Sequence, residues 1–131
     1  MPAQFDHEKL KVYQQSLQFV AVATQLLERL PKSLAAHNQL DRASTAIPLN
    51  IAEGTGKWTM PDRCRFYDIA RGSALECAAC FDVLVVKKLL SAEDVSAAKE
   101  MLVSIVSMLV GLTKAIAPNR VYEDPAEFGE V

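Results

Sequence analysis

Between Lys57 and Arg71, four cations (Lys57, Arg63, Arg65 and Arg71) are interleaved with the aromatic residues Trp58 and Tyr67. Ammonium and guanidinium groups neutralise backbone phosphates. Aromatic faces stack on unpaired bases of any sequence. Together these residue types have the chemistry of a single-stranded RNA or DNA contact. Asp62 and Asp68 within the same stretch leave it a formal +2. The bland alternative is an ordinary solvated helix face with Trp58 covering one end of a bundle.

A second polar set comprises Arg42, Asn50, Glu53, Ser73 and Glu76. Arg42 and Glu53 lie 11 residues apart, which places them on one side of a helix but about 16 Å apart along its axis, too far to touch. Glu76 falls at the edge of an apolar stripe, where a carboxylate needs a donor or must neutralise. The expectation is an Arg42 to Glu76 pair supported by Asn50 and Ser73. Such a polar network would fix helix register in the core or at an interface.

Other patterns carry less. Cys77-Ala78-Ala79-Cys80 is a C-x-x-C, but it falls in mid-helix on or near an apolar face. A redox pair wants a helix N-terminus, and a zinc site wants two more ligands. Buried packing thiols are the simpler reading. Gly54-Thr55-Gly56-Lys57 lacks the spacer, the preceding strand and the following Ser or Thr of a phosphate loop. Glu-x-x-His, the signature of carboxylate-bridged di-iron bundles, is missing from the sequence, because Gln4 precedes His7 and Leu34 precedes His37 by three residues. With two histidines in the chain, a nucleophile, base and orienter cannot be assembled by argument. The reading is of no catalytic residues, no metal, no cofactor and no small-molecule substrate.

The elements that must position these residues read as helices. The chain has 131 residues, half of them hydrophobic, with five glycines and six prolines, which suits one helical domain with a core of its own. Net charge is -2, yet residues 121–131 alone hold Glu123, Asp124, Glu127 and Glu130 and no Lys or Arg, leaving the rest at +2. The polar start, Met1 to Lys11, and the lack of a long continuous apolar run predict neither a leader nor a membrane span. Three cysteines are an odd count for a disulfide framework, and a reducing, cytoplasmic setting fits them.

Leu10, Tyr13, Leu17, Val20, Thr24 and Leu27 recur at heptad-like spacing and predict a first helix capped by Asp6, stapled by Phe5 and Leu10, and ended by Leu30-Pro31. Leu40, Ala43, Ile47, Ile51 and Gly54 predict a second, kinked near Pro48. Phe66, Ile69, Ser73, Cys77, Cys80 and Leu84 predict a third, capped by Thr59. Val95, Ala98, Leu102, Ile105, Leu109, Leu112 and Ile116 predict a fourth, opened by Ser91 with Asp94 and stopped by Pro118. Short turns between long helices predict antiparallel neighbours in an all-α, up-down-up-down four-helix bundle over residues 1–118, followed by an acidic, mobile tail over 119–131. Met101, Val106, Met108 and Val110 on the fourth helix, with Phe19, Val22 and Leu26 on the first, widen the apolar faces beyond one seam. They predict either a thick core or self-association.

Arg42-Ala43-Ser44, then Ile47-Pro48-Leu49-Asn50-Ile51-Ala52-Glu53-Gly54, then Ile69-Ala70-Arg71-Gly72-Ser73-Ala74 and Glu76 form a recognisable series, preceded by Leu10-Lys11-Val12-Tyr13. This series resembles the four-helix-bundle family of proteins encoded in intervening sequences of bacterial 23S ribosomal RNA. It is similar also to the accessory proteins of diversity-generating retroelements. The resemblance implies an up-down-up-down bundle and a ring-like homopentamer. For the retroelement branch it further implies basic surfaces that bind nucleic acid and a reverse transcriptase, from which this sequence departs in being net acidic. Two functional expectations follow. One is a non-enzymatic accessory binder of RNA, DNA or a nucleic-acid-processing protein through the Lys57 to Arg71 patch. The other is a protein-interaction or assembly scaffold built on the ring.

Overall fold

The structure is a computed structural model and describes residues 5–120. Four α-helices follow a short 3-10 turn at Asp6–Lys9: α1 Lys11–Leu27, α2 Ala35–Thr55, α3 Met60–Val86 and α4 Ala92–Ile116. No strand occurs among the described residues. Backbone contacts join α1 to α2, α2 to α3, α3 to α4 and α4 back to α1, with α2 and α3 the most extensively packed pair. Across the centre, α1 meets α3 through side chains. There Phe19 of α1 and Phe81 of α3, both fully buried, sit edge to face at 6.3 Å between centroids. That arrangement sets the positive ring edge against the negative ring face.

Two of the helices carry the apolar stripe their sequence predicts. In α2, Leu40, Ala43, Ile47, Ile51 and Gly54 are buried. In α4, Val95, Ala98, Leu102, Ile105 and Leu109 are buried, with Leu112 and Ile116 half-buried. Pro48 is buried within α2, which runs unbroken from Ala35 to Thr55. Its missing N–H deprives the Ser44 carbonyl of a helical donor.

The other two stripes are rotated from expectation. The buried face of α1 is Val12, Ser16, Phe19, Ala23, Leu26 and Leu27, whereas Leu17 is 46% exposed and Thr24 faces solvent. Phe19 and Leu26 are therefore core, not an outer face. Ser16 is tolerated there because its hydroxyl donates to the Tyr13 carbonyl at 2.6 Å, so no polar atom is left unpaired. In α3 the buried face is Cys64, Tyr67, Ala70, Ala74, Cys77, Cys80, Phe81 and Leu84. Phe66 and Ser73 are only half-buried, and Ile69 is 42% exposed.

The helix ends follow local chemistry. Ser91 accepts from the Asp94 N–H at 3.0 Å while Asp94 accepts from the Ser91 N–H at 2.8 Å. This reciprocal box closes the start of α4. Asp94 also takes both Arg29 terminal nitrogens at 3.1 Å, tying the end of α1 to the start of α4. The Arg29 hydrogen bond, then the Ser91 backbone bond, hold the Asp94 carboxyl down at about 2. Asp6 does not cap α1, which begins after Leu10 without a side-chain cap bond. Instead Phe5 stacks on His7 and His7 meets Tyr13 edge-on at 4.7 Å, holding the 3-10 turn against the first turn of α1.

α4 contains a window of mean hydropathy 1.7 that is long and apolar enough, by length and composition, to cross a membrane. Only 28% of that window is buried within the chain, and Val103 on it is 71% exposed. After α4, Arg120 donates its N–H to the Ala117 carbonyl at 3.1 Å, closing a turn over residues 117–120. The acidic stretch 121–131 lies outside the described residues.

Candidate nucleic-acid interface

The turn between α2 and α3 is built around a close approach. A Cβ on Gly54 would lie 2.9 Å from the Phe66 Cβ, 3.1 Å from a Tyr67 ring carbon and 3.2 Å from the Arg63 carbonyl. Only glycine lets the end of α2 rest against the first turns of α3 in this way. Thr59 caps α3, accepting from the Asp62 N–H at 3.3 Å, with Pro61 in the first turn. Arg63 reaches back and donates its Nε–H to the Lys57 carbonyl at 2.7 Å, pinning the turn to the helix.

Three side chains gather on this scaffold, with Trp58 in the same turn. Lys57 Nζ stands 4.9 Å from the Phe66 ring centroid and the Arg65 guanidinium 5.7 Å from it, so Phe66 is held between two cations. Trp58 is 97% exposed at the turn's apex. Lys57 also lies 3.9 Å from Glu53, an exposed pair of small energetic weight.

Tyr67 does not join them. It is buried, and its hydroxyl shares a 2.8 Å hydrogen bond with Thr55. The expectation that it could stack on a base is corrected: its ring is part of the α2–α3 packing. Arg71 is exposed but lies six residues beyond Arg65, about 120° round α3 from it, so it borders the cluster without facing the same way. Phe66, which its place in the apolar stripe predicts to be core, is half-buried and organises the cations. Its i+1 position after Arg65 and its nearness to the glycine turn are the signals that could have marked it.

Arg120, which no local motif singles out, pairs with Asp68 through both terminal guanidinium nitrogens. This pair sits beside an open groove of about 890 Å³ between the start of α3 and the end of α4, with Met60, Ile69, Ile116 and Pro118 as its apolar walls and Arg65 at its rim.

The Arg42 to Glu76 network is not formed within the chain. Both residues are exposed, and no ion pair joins them among the described residues. Asn50 donates to its own helix, at the Ala46 carbonyl, 2.8 Å away, and Glu53 turns to Lys57. The cause is geometric: Arg42 and Glu76 each follow the buried stripe of their helix by an angle that carries the side chain outward.

Cys64, Cys77 and Cys80 are buried free thiols. Burial, with the neighbouring Cys80 and Glu76 charges adding to it, pushes the Cys77 thiol up to about 12. Burial and Glu76 raise Cys80 as well. Thiols held protonated are poor nucleophiles and poor ligands. No group of three or more His, Cys, Asp or Glu side chains placed to hold a metal ion occurs among the described residues.

Residues 8–111 match the family of the 23S rRNA-intervening sequence protein. The chain belongs to that family. Among solved structures it is similar to a protein of unknown function from the S23 ribosomal protein family of Bacteroides thetaiotaomicron VPI-5482, at 23% identity and a TM-score of 0.74. The match covers 79% of this chain and 98% of the other. At that identity the likeness speaks to the fold, the four-helix bundle. No curated protein matches the sequence. Neither the family nor the structural neighbour carries a catalytic description.

Proposed function

We propose that this member of the 23S rRNA-intervening sequence protein family is a non-enzymatic, cytoplasmic accessory protein that binds single-stranded RNA or DNA at the α2–α3 turn. The observation that carries this reading is Trp58, 97% exposed and flanked by Lys57, Arg63 and Arg65. A large ring left wholly in water gains nothing for folding, and an exposed aromatic face with cations near it in the chain is the combination that stacks on a base and takes its phosphates. In this reading the helices alternate up and down and the protein is a homopentameric ring, as the family resemblance implies. Repetition round the ring multiplies a weak contact by avidity.

The test is fluorescence anisotropy with labelled single-stranded oligonucleotides at several salt concentrations. Trp58→Ala removes one stacking contact and is expected to weaken binding by about 5- to 100-fold per engaged ring, with stability changed by less than about 0.5 kcal/mol. Lys57→Glu with Arg65→Glu flattens the salt dependence. Tight, salt-insensitive binding, or binding untouched by Trp58→Ala, would refute this placement of the site.

A second reading, an assembly or protein-interaction scaffold, is favoured by the uncovered apolar residues Val86 (80% exposed) and Val103 (71% exposed). Light scattering on Val103→Glu tests it. Loss of the oligomer with the monomer fold retained supports the α4 face as the subunit contact, and an unchanged mass removes it.

A further inference from the structure

The groove between the start of α3 and the end of α4 has the size and surface of a small-molecule site. Its volume of about 890 Å³ falls within the roughly 300–1,000 Å³ of clefts that take organic ligands. Met60, Ile69, Ile116 and Pro118 line it. Met60 is 57% and Ile69 42% exposed, so the fold leaves large apolar side chains in water around one concavity. Covering them with a second apolar surface is favourable.

The charge on the lining narrows the ligand class. Three ionic side chains border the groove: Arg65, Asp68 and Arg120. Asp68 and Arg120 are bonded to each other, so their charges cancel, and the pair ties the two sides of the groove together. Arg65 makes no ion pair among the described residues; its contact is with the Phe66 ring, 5.7 Å from the guanidinium. Two cations less one carboxylate leave the lining at +1. An apolar cleft with one uncompensated guanidinium complements an apolar body that carries a single negative charge. The guanidinium fork fits a carboxylate through two parallel N–H···O bonds. A phosphate monoester, at about -1.5 to -2, exceeds the charge available.

We propose that this groove binds an aliphatic monocarboxylate of the fatty-acid type, with its chain along Met60, Ile69 and Ile116 and its carboxylate on Arg65. The site does not rest on the nucleic-acid reading, with which it shares Arg65. Each further methylene that the groove covers tightens binding by up to about fourfold. The carboxylate contributes about tenfold, the low end for a charge-assisted pair, because Arg65 stays exposed.

The experiment is isothermal titration calorimetry on the full chain at low salt. The probes are hexanoate, octanoate and decanoate below their micellar concentrations, with octan-1-ol as the uncharged counterpart of octanoate. Three full-length variants accompany the unmodified chain. Arg65→Gln removes the head contact, and Ile69→Asn removes an apolar wall without changing charge. Lys87→Gln deletes an exposed cation at the other end of α3 and controls for bulk charge. Thermal unfolding of each variant verifies that it is folded.

The expected result is one site per chain, with affinity rising from hexanoate to decanoate. Arg65→Gln weakens octanoate by about tenfold and leaves octan-1-ol unchanged. Ile69→Asn weakens both, and Lys87→Gln weakens neither. Failure of decanoate to saturate a site on the unmodified chain overturns the proposal, whatever then covers the groove. Equal losses in Arg65→Gln and Lys87→Gln overturn it as well, since bulk charge attraction then explains the binding. Affinity independent of chain length reduces the site to an anion contact and refutes the apolar seat, and several molecules bound per chain mark surfactant adsorption in place of a site.

Discussion

Replacing Gly54 with alanine isolates the contact that sets the α2–α3 turn. In the middle of a helix the change should help, since alanine is better than glycine there by about 0.5–1 kcal/mol. The new methyl carbon, however, would sit 2.9 Å from the Phe66 Cβ. Ordinary carbon–carbon contact is about 3.5–4.0 Å, so the helices must part by roughly 0.6–1 Å. They must do so where α2 and α3 pack most extensively and where Thr55 and Tyr67 share a hydrogen bond. Overpacking of this kind costs about 1–3 kcal/mol. The net expectation for Gly54→Ala is a loss of about 1–2 kcal/mol, lowering the thermal midpoint by about 4 °C per kcal/mol for a chain of this size. Gly72→Ala is the control. A Cβ there meets nothing within 4 Å, so only the helix-propensity gain remains, and a rise of up to about 1 kcal/mol is expected. Denaturant or thermal unfolding at one fixed protein concentration measures both, since self-association would otherwise shift the midpoint. A Gly54→Ala protein as stable as Gly72→Ala would refute the reasoning.

Phe19→Ala and Phe81→Ala should each cost about 3–5 kcal/mol, while the double variant costs less than their sum because the two rings share one contact; a strictly additive double-mutant cycle in denaturant would contradict it. The Asp94 carboxyl, held at about 2 in the folded chain by Arg29 and Ser91, contributes stability that is present above its ordinary carboxylate range and lost as pH falls through the folded value. Unfolding midpoints between about pH 4 and pH 2 should therefore fall less steeply in Asp94→Asn than in the unmodified chain, and parallel slopes would sink the assignment. Cys77, buried and raised to about 12, should resist alkylation at pH 8 until the chain is unfolded; rapid labelling of the native protein, read by mass spectrometry of the peptide, would count against its burial.

The sequence was most legible where one stripe of large aliphatic residues had no rival. On α2 and α4 the leucines and isoleucines at three- and four-residue spacing are the buried ones. On α1 two seams overlap. Leu17 and Val20 compete with Val12, Phe19 and Ala23, and the fold chose the seam containing Ser16, whose hydroxyl is satisfied locally. On α3 the buried face uses Ala70, Ala74, Cys77 and Cys80, small residues that allow close approach, while the bulkier Ile69 is left outside. Size-weighted pattern reading selects the wrong face in such a helix. The same rotation explains the site. Tyr67 turned inward with the small residues, Phe66 moved to the margin, and Arg120 arrived from a distant part of the chain that no local spacing could join to Asp68. The Arg42 to Glu76 pair is not formed within the chain, because it needed a register between helices that one sequence does not state.

The order in which the neighbours are wired has a temporal consequence. The most extensive helix pair, α2 with α3, is joined by the four-residue turn 56–59, so closing it sacrifices little chain entropy. Among the described residues, the α4-to-α1 seam joins the two helices farthest apart in sequence. Low average separation of contacting residues favours rapid folding, and synthesis proceeds from the N-terminal side at about 5–20 residues per second. The α2–α3 pair, with its glycine-gated turn already shaped, is therefore expected to take form at the ribosome before α4 has been made, and the apolar face of α4 then emerges onto a partner surface that is waiting for it.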